Sequence, residues 1–278
     1  MEARILRRDL ARWLHLQYHD PSLLMFRPYA ILLAALPLCA QTTIPRMPNG
    51  KPNLNGVWQA MNTANWDLQT HGPSGGPASF GALLAVPPGQ GVVEGDDIPY
   101  LPAGLDQRKK NLAKRWTDDP EIKCYMPGVP RATYMPHPFR IIQSNSGTIL
   151  LAYQFADAAR TINMGTAKEA PVDTWMGWSN GRWEGNTLVV DVTGMNDQTW
   201  LDRSGNYHSD ALHVVERYTL VSPNQINYEA TLEDAKVFSR PWKIGMPLYR
   251  NVEKNAHIME FKCAEFTEDL LYGDLRKK

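Results

Sequence analysis

The stretch Leu212 to Leu220 alternates, and one of its faces carries Leu212, Val214, Glu216, Tyr218 and Leu220. A carboxylate among apolar neighbours is what a general acid or base needs, because loss of water raises the pKa of an unpaired acid. The alternative is an internal ion pair with Arg131 or Arg160, since a buried charge is costly unless neutralised. Just upstream runs Tyr207-His-Ser-Asp210, with Asp202 before it. Imidazole beside carboxylate on a loop suits proton transfer near neutral pH. His208, Asp210 and Glu216 are therefore the acid/base set for a lyase, isomerase or hydrolase working without a nucleotide, with Arg131 or Arg160 holding an anionic group. The plainer reading is that the loop groups only satisfy backbone N–H donors at a turn.

The same residues with His213 offer imidazole and carboxylate ligands that suit Zn, Fe or Mn. Their spacing matches no helical motif of the His-Glu-x-x-His kind, and His213 falls on the face opposite Glu216. No cofactor is expected, a divalent metal being the alternative. No Gly-x-Ser-x-Gly elbow surrounds Ser209, and no Gly-x-Gly-x-x-Gly follows a strand, which argues against serine and nucleotide chemistry. Trp175, Trp178, Trp183 and Trp200 fall within 26 positions. Trp175 and Trp183, read as strand residues, would line a cavity if they point inward, with Tyr218 beside Glu216. Aromatic walls suit flat apolar ligands or sugar faces, although plain core packing explains any single Trp equally well.

The elements that must position these groups are strands. Phe139–Ser144 and Thr148–Gln154 flank Asn145-Ser-Gly, a hairpin signal. Arg182–Trp183 and Asn186–Thr193 flank Glu184-Gly185, and Ala211–Leu220 meets Gln225–Leu232 at Ser222-Pro-Asn. In the last of these Ile226, Tyr228, Ala230 and Leu232 face one way, the one-sided pattern of antiparallel sheet. His257–Cys263 is read as a closing strand and Glu265–Tyr272 as a terminal helix. Regular strands with little intervening helix define an all-β fold, an antiparallel meander forming a barrel or sandwich. A barrel of about eight strands holds side chains or one small ligand.

Between His71 and Gly104, eight Gly and six Pro in 34 positions forbid regular structure. Phe80, Leu83, Leu84, Val86, Val92 and Ile98 punctuate the stretch, so it is expected to lie ordered on the body, as functional loops of this length do. Leu105 to Trp116 reads as one exposed helix whose positive charges form a solvated face.

The chain has 278 residues, 43% hydrophobic, with 29 Lys+Arg balancing 29 Asp+Glu. A neutral chain without a basic stripe is not a nucleic-acid binder, and a mean hydropathy of −0.39 without an 18-residue apolar run excludes a polytopic membrane protein. Met25 to Ala40 carries one cation, a short apolar run and small residues, a secretory leader pattern. Residues 1–40 are thus an extended N-terminus and signal peptide, with Met25 as the true start. An amphipathic helix over Leu6, Leu10, Trp13, Leu14 and Tyr18 is the other reading of that extension. Residues 41–278 form a single domain, periplasmic or secreted and without a transmembrane segment. Export leaves Cys124 and Cys263, which either form a disulfide across a long loop or stay as two buried thiols.

Gly56-Val-Trp58 resembles the Gly-x-Trp opening of lipocalin-like (calycin) barrels, which implies a Trp plugging one barrel end. Trp178-Ser-Asn-Gly-Arg-Trp-Glu-Gly-Asn-Thr-Leu-Val-Val-Asp191, Trp200-Leu-Asp202 and His208-Ser-Asp-Ala-Leu-His-Val-Val-Glu-Arg-Tyr218 resemble an uncharacterised family of secreted bacterial β-rich proteins. Cys124-Tyr-Met-Pro-Gly-Val-Pro-Arg131 and Arg160-Thr-Ile162 fit the same family. The resemblance implies export and a β-rich body, and carries no activity over. The leading functional expectation is an exported barrel binding a small apolar or aromatic molecule, with Arg131, Arg160, Trp175, Trp183 and Tyr218 around it. The acid/base enzyme and a structural secreted protein with a solid core are the alternatives.

Overall fold

Nine strands close into a barrel in chain order: β1 (Gly56–Ala60), β2 (Phe139–Gln143), β3 (Ile149–Tyr153), β4 (Ala159–Met164), β5 (Trp178–Glu184), β6 (Thr187–Thr193), β7 (His213–Ser222), β8 (Gln225–Glu233) and β9 (Trp242–Arg250). The computed structural model describes residues 43–78, 82 and 84–262, all within one compact unit. The leader, the N-terminal helix, Phe80, Leu83, Cys263 and the terminal helix at 265–272 lie outside the described residues.

Period-two alternation builds the barrel. On β7 the buried positions are Val214, Glu216, Tyr218 and Leu220, and His213 is on the other face, as its spacing predicts. Their registered partners Leu188, Val190 and Val192 on β6, and Ile226, Tyr228, Ala230 and Leu232 on β8, are buried as well. Burying this many aliphatic and aromatic side chains, at roughly 25 cal/mol per Å² of apolar surface, is the main force holding the barrel closed. Trp58 is fully buried, its indole N–H donating to the Leu54 carbonyl at 2.8 Å, with the Arg250 guanidinium 4.3 Å over its ring.

Residues 257–262 are not a strand; the closing strand is β9, whose Trp242, Ile244, Met246 and Leu248 face inward and which joins β8 to β1. Pro247, which cannot donate to a ladder, lies just beyond the last β1–β9 pair, Ala60 with Leu248, so the seam loses no bond to β1 there. Past that point the Gly/Pro-rich segment takes over the edge: Gly245 N–H donates to the Val92 carbonyl at 2.9 Å, and Val93 bridges Ile244. The segment is otherwise pinned by bridges between His71 and Gly89 and between Ser74 and Val86.

The meander also breaks once. β4 and β5 run parallel and pair over three residues, Ile162–Met164 with Ser179–Gly181, while every other neighbouring pair is antiparallel. A parallel pair needs a returning connection, supplied by residues 165–177. Gly181 permits the approach of the two strands, since a Cβ there would stand 2.4 Å from Ile162 Cγ2 and 2.5 Å from Met164 Sδ.

The helix expected over 105–116 begins earlier and is interrupted, as α1 (Pro102–Ala113) and α2 (Arg115–Asp118). Proline in its first turn has no N–H to leave unpaired, which suits it to that position. A third short helix, α3, spans Arg131–Tyr134. No helix among the described residues is long and apolar enough to cross a membrane.

Candidate functional site

Glu216 sits inside the barrel as an ion pair with Arg160 of β4, the second of the two outcomes its spacing allows. Arg160 Nη1 stands 2.6 Å from Glu216 Oε2, an ion contact without hydrogen-bond alignment, and Nη2 donates to Oε1 at 2.9 Å. Both side chains are buried. Two phenols complete the carboxylate: Tyr218 and Tyr228 each donate to Oε1, at 2.9 and 2.8 Å. Arg160 also gives Nε to Tyr153 Oη, Nη1 to Ser179 Oγ and Nη2 to Tyr218 Oη. Burial raises the pKa of all three phenols, so they remain proton donors. Every nitrogen of Arg160 is thereby engaged, and none is free to clamp an anionic ligand.

Arg160 and Ser179 also form the floor of a surface cleft of about 660 Å³ at the parallel seam. The cleft lies beside the three paired residues and is walled by Trp175, Trp178, Met176 and Met126. Trp175 lies in the turn before β5, not on a strand as its spacing suggested, and meets the Tyr125 ring edge-on at 5.4 Å. Tyr125 and Met126 are exposed at the rim. The connection is fixed by reciprocal hydrogen bonds between Asn180 and Lys168, and by Gly177 at φ +64, where a Cβ would press on Met195 and Thr193. Asn163 Nδ2 donates to the Ser179 carbonyl at 3.0 Å and Thr161 lines the same wall. The result is an aromatic, sulfur-lined cleft with a few neutral polar groups and a rigid charged floor.

The remaining sequence-selected residues lie elsewhere. His208 is buried away from this cleft: Nδ1–H donates to the Ser209 carbonyl at 2.8 Å and Nε2 accepts from Thr199 Oγ1 at 2.6 Å. Burial lowers its pKa, keeping the ring neutral. Asp210 is on the surface, 2.5 Å from Lys236 Nζ, and that contact lowers its pKa. His208, Asp210 and Glu216 thus have three separate sets of partners. His213 meets Asp191 at 2.9 Å on the outer surface, and no group of three or more His, Cys, Asp or Glu placed to hold a metal occurs among the described residues. Trp183 is the next-to-last residue of β5, half-buried against the core and outside the cleft. Tyr218 is wholly interior.

Arg131 belongs to a second buried network that the sequence did not reveal. Its guanidinium grips Asp119 with Nη1 and Nη2 at 2.8 and 2.9 Å, touches Glu121 at 2.6 Å and donates Nε to Asn65 at 2.8 Å. Arg203 closes on Glu121 from the other side, and with Arg131 it holds that carboxyl below its ordinary pKa against the effect of burial. Asp202 is fully buried beside this network and accepts from the backbone of Leu68, Ser204 and Asn206 and from the side chains of Ser204 and Asn206. Burial, with Asp67 nearby, still raises its pKa to about 6. Only the Asp202-x-Ser204-x-Asn206 run hinted at such a knot, through its turn-forming residue types.

Comparison of the chain with protein-family models, with curated proteins and with solved structures finds no match in any of the three. The fold and the site define a closed nine-stranded mixed β-barrel with a polar centre and an aromatic cleft at its one parallel seam.

Proposed function

We propose that this protein is an exported β-barrel that binds a small apolar or aromatic molecule in the β4–β5 cleft. The single observation carrying this is the cleft itself: about 660 Å³, within the range of small-molecule sites, walled by Trp175, Trp178, Met126 and Met176 and left open at its rim. Thioethers adapt to irregular ligand shapes and indoles supply flat area at low entropic cost. Arg160 acts as a fixed wall, since its charge is neutralised by Glu216; the ligand it fits is neutral, with Asn163 and Thr161 orienting it. Export rests on the leader pattern at 25–40, and in an oxidising compartment Cys124 and Cys263 pair.

The test is native mass spectrometry of the protein purified from a periplasmic preparation, before and after unfolding. A mass excess lost on unfolding, and absent from the Trp175→Ala variant, supports the proposal. A denatured mass lighter by two hydrogens than the reduced chain supports the disulfide. A bare wild-type protein that also takes up no added neutral aromatic compound contradicts the binding proposal.

A further inference from the structure

The helical segment over α1 and α2 was expected to present a solvated basic face, and its lysines do: Lys109, Lys110 and Lys114 are exposed. Its arginines do not. Arg108 and Arg115 turn beneath the Gly/Pro-rich segment and border a partly open cavity of about 160 Å³, together with Arg203, His71, Ser74 and Ser204.

The three guanidinium groups are unequally neutralised. Arg203 is committed to Glu121, at 2.7 and 2.5 Å, and lies 4.0 Å over the Trp66 ring. Arg108 donates to Ser204 Oγ at 3.2 Å and stands 3.8 Å from Asp67, the acid among the lining residues. Arg115 forms no hydrogen bond or ion pair among the described residues; its guanidinium rests 4.7 Å over the Trp116 ring. Three nitrogens of the lining residues are shielded from solvent without a partner: Arg108 Nε, Arg115 Nε and His71 Nε2. His71 Nδ1, by contrast, is held by the Gln69 carbonyl at 2.9 Å.

A buried donor without an acceptor costs about 1–3 kcal/mol, and more when charged. The adjoining network shows what a purely structural cluster looks like in this molecule, since Arg131 is matched there on every nitrogen. The cavity departs from that pattern on the guanidinium donors of Arg108 and Arg115 together. Guanidinium forks match the oxygens of phosphate, sulfate and carboxylate. At roughly 30 Å³ per water the space equals about five waters, enough for a tetrahedral oxyanion and a few further atoms.

We propose that this cavity is a binding site for a small tetrahedral oxyanion, phosphate or sulfate, free or as the end group of a small molecule, held chiefly by Arg108 and Arg115. The site is separate from the β4–β5 cleft and stands independently of it.

The test is calorimetric titration of the full-length protein with inorganic phosphate, sulfate and methyl phosphate, in buffers matched in ionic strength with chloride. One saturable site is expected, weakened at least about tenfold in Arg115→Gln. That variant should unfold close to the wild-type temperature in chloride, because Arg115 has no hydrogen bond or ion pair to lose and only its contact with the Trp116 ring goes. Arg240→Gln, which removes an exposed charge paired with Asp97, should bind like wild type. Tighter binding of methyl phosphate would identify an esterified ligand, and tighter binding of the bare ion a free one; either supports the site. Absence of saturable heat for all three anions, or equal affinity in Arg115→Gln and wild type, would overturn it.

Discussion

Arg160 and Glu216 face each other across the barrel interior, on strands β4 and β7, with nitrogen–oxygen distances of 2.6 and 2.9 Å. The pair joins the polar centre of the barrel to the floor of the surface cleft, because Arg160 borders both. Removing one member of a buried pair strands the other charge, which costs about 3–5 kcal/mol. Glu216→Gln should therefore destabilise the protein by that amount in urea unfolding. The double variant Arg160→Met/Glu216→Leu should cost less than the sum of Arg160→Met and Glu216→Leu, although Tyr153, Ser179, Tyr218 and Tyr228 lose partners in it. Additive losses would show that the two residues act independently.

Trp175 lies in a turn with its ring against Tyr125 and, like Trp183, is partly buried against the core. Trp175→Ala should weaken uptake of a neutral aromatic ligand about tenfold or more in the folded protein, read by equilibrium dialysis. Trp183→Ala, outside the cleft, should lower stability with little change in uptake. An exchange of these two phenotypes would move the site to the barrel end.

His208 is a buried, neutral imidazole with both nitrogens engaged. Its folded-state pKa is depressed below the ordinary 6.5, so its contribution to stability is present above that value and is lost as pH falls through the folded-state value. His208→Ala should cost about 2–4 kcal/mol through the cavity and the abandoned Thr199 and Ser209 groups. It should leave ligand uptake unchanged. Loss of binding or of a turnover in a folded His208→Ala protein would instead return this residue to a catalytic role.

Asp202 titrates in the opposite sense. Its carboxyl is raised to about 6 from an ordinary 3.8, so the stability it contributes is complete below about 3.8 and is lost as pH rises through about 6. The carboxyl-carbon shift of Asp202, followed by NMR from pH 3 to 8, should move with a midpoint near 6. A midpoint below 4 would mean that the five donors around it outweigh its burial.

The hairpins were legible because their turns carry Asn-Ser-Gly, Glu-Gly and Ser-Pro-Asn between alternating runs. β9 was not, although Trp242, Ile244, Met246 and Leu248 alternate as plainly as β8 does. Pro241, Gly245 and Pro247 mask it, and only the register shows that Pro247 falls beyond the β1 edge. β4 was hidden by its charge: Arg160 occupies an inward position, so the strand lacks the apolar alternation that would announce it. The face holding Glu216 and Tyr218 was readable from period two. That Tyr228, Tyr153 and Ser179 converge on the same point was not, because strands far apart in sequence bring them together. The Asp119, Glu121, Arg131 and Arg203 network has no periodicity, and its members sit in short helices and turns.

A ligand site at the parallel seam can be read from the indole N–H signals of ¹⁵N-tryptophan-labelled protein during titration with 2-acetylnaphthalene, a neutral aromatic ketone. Saturable shifts confined to Trp175 and Trp178, with Trp58, Trp183 and Trp242 unmoved, are the predicted result. No shift up to the solubility limit, or shifts led by Trp58 and Trp242 of the core, would contradict it.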